Sequence, residues 1–291
     1  MRVAVLCAPD SWYLGDLRRA AAARHEVCGL GFGRLASSCR GSDVTVSAGD
    51  VVLNDFDAVL VRTMPPGSLE QVVFRMDALA RLEAAGVAVV NRPRSVEAAV
   101  DKYLCTTKLI AAGLLSPRTI VCQAAEDALV AFRELGGDVV VKPLFGGEGR
   151  GIMRLSDEDL AWRAFHGLQQ LRAAIYVQEF IPHDGFDVRL FVLGDRVLGM
   201  RRVNPLDWRT NVSRGARAEP LSVDESWARL ARAAAAAIDA QIAGVDVVPA
   251  RDGRRYVIEV NAVPGWKALA RALDEDVAAM VLSHLESRVK S

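Results

Sequence analysis

The sequence lacks any C-x-x-C pair, and its five cysteines (Cys7, Cys28, Cys39, Cys105 and Cys122) are odd in number and widely spaced. Such spacing argues against a disulfide framework or a structural zinc site and sets the expectation of reduced thiols in a cytoplasm. Histidine is as sparse. His25, His166, His183 and His284 include no two at metal-ligand spacing, which argues against histidine-based metal catalysis. Net charge is missing too. With 36 Lys plus Arg against 36 Asp plus Glu, no global field recruits nucleic acid or an acidic membrane surface. No apolar run reaches the roughly 18–20 residues of a membrane span. The opening MRVAVLCAPD is too short in apolar residues for a secretory signal and reads as a first β-strand. Lysine is scarce: only Lys102, Lys108, Lys142, Lys267 and Lys290 occur, so a lysine at a useful position is less readily dismissed as generic surface charge.

What is present is a globular composition of 291 residues, 51% hydrophobic and 25% charged, enough to bury a sizeable core. Short apolar runs at 2–7, 26–30, 58–62 and 87–91 alternate with helical patterns around 12–24 and 68–85, which implies a mostly parallel α/β lobe. A helix is expected over 94–113, ending at Gly113. The rhythm then changes. Strands at 119–123, 139–144 and 151–155 flank helices of about 125–135 and 157–172, and strands follow at 176–180, 187–194 and 196–203. Gly194-Asp195 is a two-residue hairpin signal. The polar segment 204–217 reads as a loop, a long Ala-rich helix covers about 223–240, and strands at 244–250 and 255–261 precede a last helix near 274–289. Three lobes result: an α/β lobe over 1–92, a small α+β lobe over 93–175 and a C-terminal α+β lobe over 176–291.

Three segments can carry chemistry. In VVVKPLFGGEGRGI, Lys142 ends a buried-looking strand and four glycines follow (Gly146, Gly147, Gly149, Gly151). Glycines let a backbone approach phosphate closely while the lysine supplies a point charge. Ile152-Met153 stands where a Walker A motif needs Lys-Ser/Thr; a tight hairpin with an exposed lysine is the plain alternative. Glu259 and Asn261 lie two apart on one strand and share a face, and Asp246 on the neighbouring strand can add a third oxygen. Carboxylates and an amide without His or Cys suit Mg²⁺ or Mn²⁺ bridging phosphates; a solvated acidic hairpin is the alternative. The run 187–214 holds Asp187, Arg189, Arg201, Arg202, Arg209, Asn211 and Arg214, whose forks can grip phosphate or carboxylate, or simply form a basic surface. The glycines of CGLGFGRL, at 29, 31 and 33, follow the second strand in the wrong spacing for a dinucleotide fingerprint. No nucleophile pair of the Ser/His or Cys/His kind stands out.

Taken in order, DKYLCTTKLIAAGL, VVVKPLFGGEGRGI, VQEFI, DVRLFVLG, DWRTN with RGA, GVDVV and IEVNAVPGW resemble the RimK-type α-L-glutamate ligases of the ATP-grasp superfamily over roughly 90–270. The resemblance implies a three-lobed α/β and α+β ATP-grasp fold. It also implies that Lys102 and Lys142 hold the α- and β-phosphates of ATP beneath the loop 145–151. Gln178, Glu179, Phe180 and Ile181 would border the adenine, with Asp187 near the ribose. Arg189, Arg202, Arg209, Asn211 and Arg214 would line the acyl-phosphate and acceptor region. Asp246, Glu259 and Asn261 would bind two Mg²⁺ (or Mn²⁺) ions. The implied reaction joins the amine of L-glutamate to an ATP-activated carboxylate on a small cofactor, with NAVPGWKAL and RRVNPLDWRTN closest to the tetrahydromethanopterin-linked relatives. A protein C-terminus, a deazaflavin cofactor or another amino acid are the alternatives. The family resemblance also implies a cytoplasmic protein that can form homo-oligomers. A non-catalytic ATP-binding regulator and a scaffold subunit are the readings outside the enzyme class.

Overall fold

The computed structural model describes every residue except Glu148, Ser213, Arg214 and Ser291. The chain opens with β1 (Arg2–Leu6), α1 (Trp12–Ala21) and β2 (Glu26–Leu30). A hairpin-like sheet follows, made of β3 (Leu35–Arg40), β4 (Asp43–Ala48) and β5 (Val51–Val52), and then come β6 (Ala58–Val61), α2 (Leu69–Ala84) and β7 (Ala88–Val90). The apolar strands β1, β2, β6 and β7 form the parallel sheet expected, in the order β2-β1-β6-β7. Ser68 starts α2 with a reciprocal cap: its hydroxyl accepts from the Gln71 N–H while the Gln71 side chain accepts from Ser68 N–H. Gly29 serves packing rather than a ligand, since a Cβ there would lie 2.3 Å from Leu14 of α1.

The helix expected over 94–113 is two helices, α3 (Pro93–Val100) and α4 (Lys102–Ala111). Asp101 breaks the run in an extended conformation and its carboxylate accepts from Leu104 N–H as the cap of α4. The break sets Lys102 at the first turn of a new helix. Next come β8 (Thr119–Cys122), α5 (Ala125–Glu134), β9 (Val139–Lys142), β10 (Met153–Leu155), α6 (Glu158–Gln170) and β11 (Ile175–Glu179). The four strands make an antiparallel sheet, β10-β9-β11-β8, whose apolar face meets α5 and α6 in a core of its own. That sheet includes 175–179, beyond the limit of 175 expected for the small lobe, because Val177 pairs with both Ile120 and Val141. Helices α3 and α4, expected within that lobe, send Val96, Cys105 and Leu109 into a different core.

The last unit is a five-stranded antiparallel sheet, β14-β13-β12-β15-β16, built from β12 (Phe186–Leu193), β13 (Arg196–Val203), β14 (Arg217–Leu221), β15 (Ile242–Pro249) and β16 (Arg255–Asn261). Leu193 pairs with Arg196, so Gly194-Asp195 is the two-residue turn expected, with Gly194 at φ 58°. Helix α7 (Glu225–Ala237) covers one face, and α8 (Lys267–Leu273) and α9 (Val277–Val289) follow β16. This sheet shares its cores with the parallel sheet: Val188, Leu190 and Val192 belong to one core with residues of α2, α3 and α7, whereas Phe191 and Leu193 belong to a second with residues of α1 and α9. Asn91, 1% exposed, locks the two sheets together. Its amide nitrogen donates to the carbonyls of Ile242 and Ala262, and its oxygen accepts from the N–H groups of Gln241 and Ile242. Among the described residues no helix is long and apolar enough to cross a membrane.

Candidate active site

Strand alternation assembles the site. On one face of the large sheet lie Asp187 and Arg189 of β12, Arg202 of β13, Asp246 of β15, and Glu259 and Asn261 of β16. The register sets Asp187 opposite Arg202, Arg189 opposite Asp246, and Asp246 opposite Glu259, with a bulge next to Asp246. Residues of four strands, from position 187 to position 261, thus form one polar stripe on the sheet. Arg201, adjacent to Arg202, is on the opposite face, where its guanidinium stacks over the Phe186 ring at 4.3 Å.

Within the stripe the charges are already matched. Arg202, 5% exposed, donates to both carboxylate oxygens of Asp187 and also pairs with Asp246 at 2.9 Å. Arg189 grips the other side of Asp246, its Nη2 at 2.9 Å from Oδ2 and its Nε against Oδ1. Burial alone would raise the Asp246 carboxyl, but Arg189 and Arg202 together hold it below the usual carboxylate range. Asp187, expected beside a ribose, and Asp246, expected as a metal ligand, are therefore both engaged by arginines here. A buried acid without such a partner would be costly. Glu259 differs: its carboxylate has no side-chain hydrogen bond or ion pair to any other described residue. Asn261 uses its amide oxygen to accept from Val263 N–H at 2.8 Å.

Gly244 makes room for this arrangement. A Cβ at that position would fall 2.6 Å from Arg189 Nη1 and 2.9 Å from Pro264 Cβ. Gly244→Ala is expected to push Arg189 off Asp246 and to destabilise the fold by about 1–3 kcal/mol, the usual range for overpacking. Chemical denaturation would measure it, and an unchanged midpoint would contradict the close approach.

The opposite wall comes from the small sheet. Lys142 ends β9 and donates from Nζ to Gln178 Oε1 at 2.6 Å. The Gln178 amide donates in turn to Tyr176 Oη at 3.0 Å and Thr119 Oγ1 at 2.9 Å, and Tyr176 Oη bonds Thr106. Burial pushes the Lys142 ammonium down to about 8, partly opposed by Glu259. Lys102 reaches the glycine loop instead, donating from Nζ to the Gly146 carbonyl at 2.7 Å; burial lowers it too. Gly146, Gly149 and Gly151 hold φ values of 118°, 70° and 70°, which give the loop a path open mainly to glycine. The Glu179 carboxylate, expected to read a base, is held by the backbone N–H and Nε of Arg118 at 2.8 and 2.9 Å. Phe180 lies edge-on to Trp208 at 5.9 Å, and Arg154 stacks on its ring at 3.5 Å.

These walls form a cleft, partly open to solvent, lined by Lys142, Gly149, Gln178, Glu179, Phe180, Ile181, Asp187, Arg202, Arg209, Asn211, Asp246 and Glu259. Arg209 lines it while forking onto Asp207. A second, open cavity adjoins it and shares Arg202, Asn211, Asp246 and Glu259; Gly147, Arg189 and Asn261 line it as well. Lys102, at the first turn of α4, touches the glycine loop at Gly146, but neither it nor Gly146 nor Gly151 lines either cavity, and Arg214 lies outside the described residues. Thr106, Thr119, Tyr176, Arg118 and Trp208 were not singled out in the sequence. Thr106 and Trp208 fall inside DKYLCTTKLIAAGL and DWRTN, which drew notice for their charged residues, whereas Thr119, Tyr176 and Arg118 lie outside every such motif.

The oxygen donors fit a hard divalent cation. No group of three or more His, Cys, Asp or Glu at metal-binding distance exists among the described residues. Mg²⁺ needs none, since it is usually held by one or two carboxylates with water and substrate phosphates completing its shell. Glu259 is free for that task, with Asn261 two residues on and Asp246 opposite.

A family profile for the RimK-like ATP-grasp domain matches residues 99–285. The chain is 33% identical over 269 residues to a tetrahydromethanopterin:alpha-L-glutamate ligase of Methanosarcina acetivorans, covering 82% of this chain and 83% of that one. It is also 33% identical over 238 residues to the alpha-aminoadipate–LysW ligase LysX of Sulfurisphaera tokodaii, covering 77% and 83%. Among solved structures, a RimK domain ATP-grasp protein from Sphaerobacter thermophilus superposes with a TM-score of 0.76 at 28% identity, across 98% of this chain and 99% of that one.

Proposed function

Because the chain belongs to the RimK-like ATP-grasp family and is an ATP-grasp ligase, we propose that it uses ATP to activate a substrate carboxylate and joins it to an amine. The observation that carries this reading is a cleft lined by Lys142, Gly149 of the glycine loop and a Glu259 without a hydrogen-bond partner among the described residues, with Lys102 tied to the same loop through Gly146. Lys142 and Lys102 hold the phosphates from below the loop, and Phe180, Ile181 and Trp208 border the base. The substrate carboxylate attacks the γ-phosphorus and ADP leaves; the amine then attacks the acyl carbon and phosphate leaves. Arg189, Arg202, Arg209 and Asn211 steady the charge on the transferring group, as preoriented donors do; Arg214 belongs to the same set by sequence. Glu259, with Asn261 and Asp246, would hold Mg²⁺, which supplies charge neutralisation at the phosphates.

The relatives spread over more than one chemistry. At the same 33% identity, one is named for tetrahydromethanopterin and glutamate and another for α-aminoadipate and LysW. That spread supports the wider reading, an amino acid joined to a carboxylate acceptor that need not be a pterin. Glutamate addition to tetrahydromethanopterin is the second reading, favoured by three relatives of that name at 31–33% identity.

ADP release with Mg²⁺-ATP is the test, run across L-glutamate, L-α-aminoadipate and other amines against tetrahydromethanopterin, a deazaflavin cofactor and an acidic C-terminal peptide. Release requiring one amine and one carboxylate together is expected, with the product mass showing the added residue. Glu259→Gln should remove the metal-dependent rate without unfolding the protein. A full rate in that variant at ordinary Mg²⁺ contradicts the metal assignment, and ATP binding without release on any pair contradicts the ligase reading.

A further inference from the structure

Lys142 meets the cleft as the last member of a buried chain. Its Nζ donates to Gln178 Oε1 at 2.6 Å, and the Gln178 amide nitrogen donates to Thr119 Oγ1 at 2.9 Å and Tyr176 Oη at 3.0 Å. Tyr176 Oη shares a hydrogen bond of 2.8 Å with Thr106 Oγ1. Water has no access to the middle of the chain, where Tyr176 is 1% exposed and Gln178 3%. The chain also crosses between two cores. Val141 of β9 and Val177 of β11 belong to the core of the small sheet, whereas Cys105 and Leu109 of α4 belong to one that the large sheet shares.

The direction of each bond follows from the groups themselves. An ammonium has donors only, so the Gln178 atom that faces Lys142 is the oxygen, and the amide protons point at Thr119 and Tyr176. Thr119 spends its own proton on the Pro117 carbonyl at 2.9 Å, which leaves it an acceptor toward Gln178. Tyr176 accepts from Gln178 and is left with its proton for Thr106. Turned over, the amide would set its NH₂ against the ammonium and its oxygen against a hydroxyl with no proton to give. A buried mismatch of that kind is costly. One orientation of the amide is therefore held, and it takes one N–H of Lys142 while two remain for the cleft. Thr106 sits four residues after Lys102, hence on the same side of α4. Lys102 in turn bonds the loop carbonyls of Leu144, from its backbone N–H, and of Gly146, from Nζ.

We propose that Tyr176 and Thr119 are positioning residues of the nucleotide site: by fixing the Gln178 amide they aim the Lys142 ammonium at phosphate, and Thr106 ties that aim to the helix that carries Lys102. None of the three lines the cleft, so each acts through Gln178 and Lys142. The inference deepens the proposed function and rests on its assignment of Lys142 to the phosphates.

Calorimetric titration of the full chain with Mg²⁺-ADP and with adenosine tests it in Tyr176→Phe, Thr119→Val and the two combined, each with and without Lys142→Ala. Phenylalanine and valine keep the shapes of the residues they replace and remove only the hydroxyls. The combined variant should bind Mg²⁺-ADP about tenfold more weakly, the order of one hydrogen bond to a charged group. Adenosine, which carries no phosphate, should bind it as it binds the wild type. In the Lys142→Ala background the same two substitutions should change Mg²⁺-ADP affinity by less than about twofold, because their effect runs through the lysine. Either single variant carries the same comparison if the combined one does not fold. An equal loss for adenosine, a loss undiminished without the lysine, or wild-type affinity for Mg²⁺-ADP in the combined variant would overturn the proposal. Failure of the underlying assignment has its own signature: Lys142→Ala alone then binds Mg²⁺-ADP like the wild type, and the positioning role falls with it.

Discussion

Lys142→Ala should lower turnover by on the order of 10²–10³-fold, the loss typical of removing one preoriented donor from a developing charge, while the protein stays folded. The fold survives because two costs cancel in part. Alanine removes an ammonium that burial disfavours, and it strands the Gln178 carbonyl that had accepted from it, a loss of about 1–3 kcal/mol for a buried acceptor. Nucleotide affinity and turnover should fall together, since the lysine meets phosphate in both ground and transition states. Wild-type activity in the variant would remove Lys142 from the site.

The same lysine gives a pH signature. Its folded value of about 8 lies below the roughly 10.4 of an exposed lysine, so between those limits the unfolded chain binds the extra proton. Lys142 therefore contributes stability that grows with pH across that window, against the buried thiols Cys7, Cys105 and Cys122, whose raised values act the other way, and Lys142→Met should make the slope less positive than in the wild type. Nucleotide binding favours the charged form, so calorimetry near pH 8 should register proton uptake on binding Mg²⁺-ADP in the wild type alone.

Local pattern carried much of the architecture. Glu259 and Asn261 lie two apart on one strand, so their common face follows from strand periodicity, whereas the bulge beside Asp246 had no such signal, and Gly194-Asp195 announces its own turn. Within residues 35–52 the strand DVTVSA does alternate, but its partner gives no such signal. LASSCR is polar and mostly exposed, and its strand exists through pairing with β4 rather than through a buried face. Strand β14 is hidden likewise by the charges and proline of RAEPL, and α8 by its shortness. The glycine loop and the lysines could be found because unusual residue types sit close together in the chain. Thr106 and Tyr176 are 70 residues apart, and no spacing rule links a threonine of α4 to a phenol of β11. Pairing was invisible for a related reason: the sequence showed acids and arginines in 187–246 but not which would neutralise which.

That neutralisation underlies the second large effect. Arg202→Met should destabilise the protein by about 3–5 kcal/mol, the range for removing one partner of a buried ion pair. Arg202 serves two carboxylates at once, Asp187 and Asp246, which are 3% and 4% exposed. Arg189 remains to hold Asp246, but Asp187, 3% exposed, loses the only arginine that pairs with it among the described residues. A partial rescue by Asp187→Asn in the same chain should follow, because the double variant no longer buries that charge, and the double-mutant cycle would give the coupling directly. The pH dependence has a definite sign. Asp246 is held below its unfolded value by Arg189 and Arg202, so its contribution is present above about pH 4 and is lost as pH falls through the folded value. The denaturation curves of wild type and Arg202→Met should accordingly draw together under acid and stand furthest apart near neutrality. A deficit below about 1 kcal/mol, in the range of an exposed surface pair, or one that stays constant down to pH 3, would mean that Arg202 is solvated and that the site's charges are not organised around it.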